Sequence, residues 1–193
     1  MSGLLVSTGS NRPSRPLAVL IGPPGSGKTT VGGHLAALTG TDLRDTDADI
    51  VTLAGKTIPA IFAEDGEPAF RALEAAAVAA ALREHIGVLS LGGGAVLAPS
   101  TQAALADYAQ AGGVIVFLDV SLACAIPRVG LDASRPLLSG DPRARWTELM
   151  TARRPIYERL ATMTVLTNDR CPQSITGEIA TVGGFETTGQ KRR

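Results

Sequence analysis

The sequence has few cysteines and no long apolar run, and both shortages exclude classes of protein. Its two cysteines, Cys124 and Cys171, show neither a CxxC spacing nor a nearby histidine cluster, which disfavours a disulfide framework and a metal site. No apolar run reaches the ~18 residues that a membrane span requires. Hydrophobic residues still make up 45% of the chain, so we expect a folded domain rather than a disordered chain.

Net charge is also lacking, because 18 lysines and arginines balance 18 aspartates and glutamates. Without an overall field, the protein is not expected to bind nucleic acid or a membrane surface. Residues 1–16 lack the apolar core of a secretory signal, which favours a cytoplasmic location. We predict a flexible N-terminal extension at 1–16, one domain at 17–181 and a flexible tail at 182–193. No apolar segment is left over for an interface, so a monomer is expected.

Short apolar runs alternate with helical patterns along the chain. The runs occupy residues 17–21, 88–91, 114–118 and 163–166, with a weaker one at 41–44, and helical patterns occur at 29–38, 69–85 and 172–180. This alternation is typical of an α/β fold whose parallel sheet is covered on both faces. Residues 129–142 are rich in glycine, proline and charge, which predicts a mobile loop. We call this segment the lid.

The clearest motif is GPPGSGKT at residues 22–29, which follows a predicted strand and precedes a predicted helix. This is the phosphate-binding loop pattern, in which glycines let backbone N–H groups converge on phosphate oxygens at a helix N-terminus. The lysine of the motif contacts the β- and γ-phosphates and the final hydroxyl binds Mg²⁺. The predicted ATP-binding residues of the loop are Gly25, Ser26, Gly27, Lys28, Thr29 and Thr30.

A triphosphate site does not distinguish a kinase from a GTPase, a motor or a switch, so the acceptor side is decisive. Asp45 and Asp47 follow the weak second strand, where open α/β sheets bind ligands. If the strand extended that far, both carboxylates would point the same way. One would support Mg²⁺ through water and the other would orient a hydroxyl group or accept its proton. The alternative is a solvated turn with Asp49 as a helix cap.

Two further patterns concern the acceptor. Arg71 and Glu74 lie three residues apart on a predicted helix, either as a surface pair or as an arginine held ready to bind a carboxylate. The three glycines at residues 92–94 end a predicted strand, which indicates that a ligand closely approaches the backbone there.

Taken together, these motifs resemble the shikimate kinases over residues 19–179, nearly the whole domain. The resemblance rests on the order and spacing of GPPGSGKT at 22–29, DTD at 45–47, IF at 61–62, DGE at 65–67, FRxxE at 70–74, LGGGAV at 91–96, RPLL at 135–138 and RRPxY at 153–157. It implies a nucleoside-monophosphate-kinase-like three-layer fold with a five-stranded parallel sheet and a mobile lid. It also implies transfer of the ATP γ-phosphoryl group to the 3-hydroxyl of shikimate, in the chorismate pathway.

The resemblance assigns roles residue by residue. Asp47 would hold the shikimate hydroxyls and act as base, and Glu74 would orient Arg71. The remaining implied substrate-binding residues are Phe62, Arg71, Gly92, Gly93, Gly94 and Arg153. Thr29 and Asp45 would support Mg²⁺, and Lys28 and Arg135 would join Asp47 as catalytic residues. The nucleotide would also contact Arg128, Arg135, Pro136 and Arg170.

The chain departs from the family pattern at two positions. Val51 stands where many members have glutamate, and Leu166 stands where they often have aspartate. The first bears on the solvation of the acceptor pocket, and the second on contacts near the adenine. Two competing functions stay open at this point: a related kinase of gluconate or a nucleoside monophosphate, and a nucleotide-dependent switch without chemistry.

Overall fold

A computed structural model describes residues 15–129 and 141–188. The described residues form five strands: β1 Ala18–Ile21, β2 Leu43–Asp45, β3 Val88–Ser90, β4 Ile115–Asp119 and β5 Met163–Leu166. All of the neighbouring strands pair in parallel, in the order β2-β3-β1-β4-β5. The predicted five-stranded parallel sheet is therefore confirmed.

Eight α-helices occur in the described part of the chain, and a 3₁₀ turn at Ala95–Leu97 follows β3. The helices are α1 Lys28–Thr39, α2 Thr46–Ala54, α3 Ile58–Glu64, α4 Gly66–Glu84, α5 Pro99–Gln110, α6 Leu122–Val129, α7 Pro142–Leu160 and α8 Pro172–Val182. None of the helices in the described ranges is both long enough and apolar enough to cross a bilayer.

The helices cover both faces of the sheet. On one face, Val19, Ile21 and Phe117 pack with side chains of α4, α5, α6 and α7. On the other face, Leu20 and Leu118 pack against α1 and α8. This alternation along β1 and β4 follows from the period of two in a strand, and it confirms the three-layer architecture.

The C-terminal segment differs from the expected tail. Helix α8 ends at Val182, two residues past the predicted end at Ala180. Phe185 then packs against the sheet face covered by α1 and α8. The Thr188 N–H donates to the carbonyl oxygen of Leu38 at 2.9 Å. Residues 183–188 therefore contact the domain body instead of leaving it at residue 182.

Candidate active site

A cavity of about 320 Å³ opens at the C-terminal ends of the central strands. Parallel α/β sheets bind ligands at this edge, because their loops converge there. Of the predicted acceptor residues, Asp47 and Gly93 line the cavity together with the phosphate loop. The others are not among its lining residues: Phe62, Arg71, Gly92, Gly94 and Arg153. Its lining residues are Gly25, Gly27, Lys28, Thr29, Thr30, Asp45, Asp47, Ser90, Leu91, Gly93, Arg128 and Val129.

The phosphate loop has a backbone that only glycine adopts easily at three positions, one of which is Gly22 with φ of 149°. Gly25 has φ of 80° and Gly27 has φ of 90°, both in the left-handed region. Gly27 caps α1, so the first N–H groups of that helix lack intrahelical acceptors and point toward the cavity end. The Lys28 ammonium donates to the carbonyl oxygens of Gly22 at 2.9 Å and Pro23 at 3.1 Å. The loop thus carries the donors and the cation that a polyphosphate requires.

Asp45 links the phosphate loop to the acceptor side. Its Oδ2 accepts a hydrogen bond from the Thr29 hydroxyl at 2.9 Å. Its Oδ1 accepts one from the Asp47 N–H at 3.0 Å, which caps helix α2. The carboxylate and hydroxyl oxygens of these two residues are the hard ligands that Mg²⁺ prefers. The pair therefore fits the predicted metal position.

The structure excludes two possibilities that the sequence left open for the same segment. Helix α2 begins at Thr46, so strand alternation does not set the directions of Asp45 and Asp47. The helix cap is Asp45, whereas Asp49 pairs with Arg44 at 2.7 Å. The cause is local: Asp accepts readily from the N–H two residues onward, which starts the helix one residue after the strand ends.

Gly92 and Gly94 give room to side chains of the acceptor site. A methyl group on Gly92 would lie 2.5 Å from Asp47 Oδ1, and one on Gly94 would lie 2.3 Å from Arg71 Nη1. The absence of side chains therefore lets Asp47 and Arg71 approach the loop after β3. The sequence predicted close approach by a ligand, and the structure shows that neighbouring side chains also require these glycines.

Arg71 is held by carboxylates on two sides. Its Nη1 donates to Glu74 at 2.7 Å and its Nη2 to Glu67 at 2.9 Å. Glu74 is buried, with its side chain 3% exposed, so this contact is not an ordinary surface pair. Burial raises the pKa of Glu74, and Arg71 partly offsets that effect. The pairing was expected from the spacing, whereas the burial of Glu74 was not.

Arg153 comes to the same loop from helix α7. Its guanidinium is buried and donates to the Gly93 carbonyl oxygen at 3.0 Å. The hydroxyl of Tyr157, one helical turn later, donates to the same oxygen at 2.5 Å. Trp146 Nε1, at the start of α7, donates to Pro24 O in the phosphate loop at 3.0 Å.

These tyrosine and tryptophan contacts were not predicted from the sequence. The available signal was helical spacing, because the buried residues Trp146, Met150, Arg153 and Tyr157 recur at intervals of three and four. That pattern predicts a buried face without saying which loop the face meets.

The remaining predicted residues are distributed more widely. Arg128 lines the cavity and donates to the carbonyl oxygens of Gly25 and Thr167. Phe62 packs on Phe70 with ring centroids 4.6 Å apart and is not among the residues that line the cavity. Arg170 pairs with Glu178 at 2.7 Å and also lies outside the lining set.

Four further residues singled out in the sequence remain. Arg135 and Pro136 lie outside the described residues. Val51 and Leu166, the two departures from the family pattern, are 38% and 51% exposed and do not line the cavity. Nothing in the described geometry connects either departure to the acceptor side chains.

The arrangement supports one kind of chemistry in particular. A loop built for polyphosphate lies beside a carboxylate, Asp47, in the same cavity. Phosphoryl transfer needs a positioned hydroxyl group, a metal and cationic groups more than it needs covalent help from the protein. Arg71 and Arg153 carry guanidinium groups that bind carboxylates in a bidentate geometry.

Comparison with known proteins agrees with this description. The shikimate kinase family profile matches residues 24–182. A shikimate kinase of Thermobifida fusca is 56% identical over 167 residues, covering 86% of this chain and 94% of that protein. One from Salinispora arenicola is 53% identical over 165 residues, covering 86% of this chain and 96% of the relative.

Solved structures give the same result. The shikimate kinase from Acinetobacter baumannii in complex with shikimate superposes with a TM-score of 0.82 at 32% identity, covering 89% of this chain and 93% of that one. A gluconokinase from Sinorhizobium meliloti superposes at 0.53 with 21% identity, covering 89% and 93%, which shows a shared fold alone.

Proposed function

This chain belongs to the shikimate kinase family, and we propose that it transfers the γ-phosphoryl group of ATP to the 3-hydroxyl of shikimate. The products are shikimate 3-phosphate and ADP, within aromatic amino acid biosynthesis by way of chorismate. One observation carries the proposal: Lys28 and Thr29 of the phosphate loop line the same cavity as Asp47 and Gly93. Groups for the phosphate donor and for the acceptor thus share one cavity.

Asp47 acts as the base in this proposal. Its carboxylate accepts the proton of the 3-hydroxyl as the oxygen forms a bond to the γ-phosphorus, and the bond to the β,γ-bridging oxygen breaks. Gly92 leaves the space that this carboxylate occupies. Lys28 neutralises charge on the group that is transferred. The phosphates are bound by Gly25, Ser26, Gly27 and Thr30.

Arg71 and Arg153 bind the shikimate carboxylate. They approach the loop after β3 from opposite elements, helix α4 and helix α7. The guanidinium of Arg71 occupies the space that a side chain on Gly94 would fill, and Arg153 donates to the carbonyl oxygen of Gly93. Two guanidinium groups around one glycine loop favour an acceptor that carries a carboxylate. Phe62 contacts the bound ring when the acceptor enters.

Thr29 and Asp45 would hold Mg²⁺, Asp45 through water. The metal neutralises phosphate charge when it is bound. Asp45 meanwhile keeps the N-terminus of α2, and therefore Asp47, in position through the hydrogen bond from the Asp47 N–H.

Four further residues act on the nucleotide or on the group that is transferred. Arg135 brings positive charge over the phosphoryl group, and Arg128, Pro136 and Arg170 contact the nucleotide. The protein acts as a monomer in the cytoplasm, with no nucleic acid or membrane partner.

The test is ADP release by the purified protein with ATP and Mg²⁺. Shikimate, gluconate, a nucleoside monophosphate and no acceptor are compared at equal concentration. ADP release with shikimate alone is the expected result. ADP release with gluconate alone would show that the protein is a gluconate kinase instead. ATP binding with no ADP release for any acceptor would indicate a nucleotide-dependent switch.

A further inference from the structure

The carbonyl oxygen of Gly93 receives two hydrogen bonds from one helix. Arg153 Nη1 donates at 3.0 Å and the Tyr157 hydroxyl donates at 2.5 Å. Both side chains belong to α7 and are buried, at 4% and 0% exposure. Gly93 itself lines the cavity beside Lys28 and Asp47. Helix α7 therefore fixes the direction of a backbone carbonyl group in the wall of the cavity.

These hydrogen bonds fix the orientation of the peptide group that joins Gly93 to Gly94. The peptide is trans, so its N–H points away from the carbonyl oxygen that faces α7. No protein acceptor for the N–H of Gly94 occurs within residues 15–129 and 141–188. The guanidinium of Arg71 lies in the space that a side chain on Gly94 would fill. Holding the carbonyl thus places a backbone donor and limits the position of Arg71.

The ring and the hydroxyl of Tyr157 have separable roles. The ring stacks on Phe117 with centroids 5.1 Å apart, inside the core cluster beneath the sheet. Burial raises the pKa of Tyr157 to about 12, and Arg153 partly offsets this effect. The phenol accordingly keeps its proton at neutral pH and acts as a donor. A phenylalanine keeps the stacking and removes only the hydrogen bond.

We propose that Tyr157 is a positioning residue for the acceptor, whose hydroxyl holds the Gly93–Gly94 peptide in the orientation that binds the acceptor carboxylate. It touches neither substrate and acts through Gly93 and Arg153. This inference rests on the function proposed above, because the acceptor site is defined by that reaction.

The Tyr157→Phe variant tests the role directly. Losing one buried hydrogen bond is expected to raise the KM for shikimate about fivefold, which corresponds to about 1 kcal/mol. The KM for ATP and kcat are expected to stay within about twofold of the wild-type values. The lost hydrogen bond should weaken acceptor binding equally in the ground state and in the transition state, which raises only the KM for the acceptor. Loss of a purely structural hydrogen bond would not raise the KM for shikimate while leaving the KM for ATP unchanged.

The chain supplies a matched control in its other tyrosine. Tyr108 is also buried, has its pKa raised to about 12 by burial, and donates its hydroxyl to the Pro16 carbonyl oxygen at 3.0 Å. It lies near the start of β4, at the opposite end of the sheet from the cavity. Tyr108→Phe therefore loses a similar bond and should lower Tm comparably, with both KM values unchanged.

The outcomes separate the two proposals. If the wild type does not phosphorylate shikimate, the proposed function fails, and the Tyr157→Phe comparison is made with the acceptor that the wild type does use. An unchanged acceptor KM in Tyr157→Phe, or equal rises for acceptor and ATP, would overturn the positioning role.

A second measurement covers the case in which Tyr157→Phe does not fold. In the Tyr108→Phe protein, 3-fluorotyrosine labels Tyr157 alone. Its ¹⁹F resonance should shift when the acceptor is added, and a resonance that ignores saturating acceptor would refute the inference.

Discussion

Replacing Gly94 with alanine perturbs the position of Arg71 without removing any charged group. The new methyl group would lie 2.3 Å from Arg71 Nη1 and 3.0 Å from its Cζ. The backbone of Gly94, with φ −96° and ψ −13°, lies in the right-handed region that alanine adopts. The methyl group would therefore clash only with the far end of the flexible Arg71 side chain. We expect the fold to survive while the guanidinium moves.

The size of the effect follows from the contact that is lost. A hydrogen bond between charged groups contributes about 1.5 to 3 kcal/mol, so displacing Arg71 should raise the KM for shikimate about 10- to 150-fold. The KM for ATP should stay within about twofold, because Arg71 does not line the phosphate loop. Gly94→Ala should change the free energy of unfolding by less than about 2 kcal/mol.

Steady-state kinetics with each substrate varied in turn gives both KM values. Gly33→Ala is the control, because Gly33 lies in α1 and a methyl group there meets no atom within 4 Å. That change should stabilise the protein by about 0.4 to 1 kcal/mol and leave both KM values unchanged. A Gly94→Ala enzyme with wild-type affinity for shikimate would refute the role given to Arg71.

Three further predictions use single isosteric changes. Asp47→Asn should abolish turnover while ATP binding by calorimetry is retained; a kcat within tenfold of wild type would exclude Asp47 as the base. Asp45→Asn keeps the helix cap, so it should raise the Mg²⁺ concentration for half-maximal rate, whereas an unaltered Mg²⁺ dependence would contradict the metal assignment. Because burial raises the pKa of Glu74 above 4.5, its protonated form favours the folded state, and this stabilisation is lost as pH rises from about 4.5 through the raised value. The wild-type free energy of unfolding relative to Glu74→Gln, from urea titrations, should fall over that window; a rise with pH would show the opposite shift.

The phosphate loop and its helix were predictable because every local signal there agrees. An apolar strand, a glycine-rich motif and a helical pattern occur in sequence, and the strand and helix begin within one residue of the predicted positions. The short second strand was harder, since β2 has three half-buried residues. β2 ends at Asp45 and α2 begins at Thr46, so the condition for alternation, a strand that extends to Asp47, is not met.

Contacts between distant segments were beyond the reach of sequence patterns. The bond from Trp146 to Pro24 spans 122 residues, and that from Tyr157 to Gly93 spans 64. Helical spacing marks both side chains as buried, but only the packing of α7 against the strand ends shows which carbonyl each one meets. The burial of Glu74 has the same origin, because it depends on the loop after β3 covering helix α4.

The central claim is that this cavity transfers phosphate to one particular hydroxyl group of shikimate. The most direct measurement is a two-dimensional ¹H–³¹P NMR spectrum of the product formed from ATP, Mg²⁺ and shikimate. We predict a phosphorus correlation to the proton on carbon 3 alone. A correlation to another ring position, or ADP and inorganic phosphate as the only new phosphorus signals, would contradict the account.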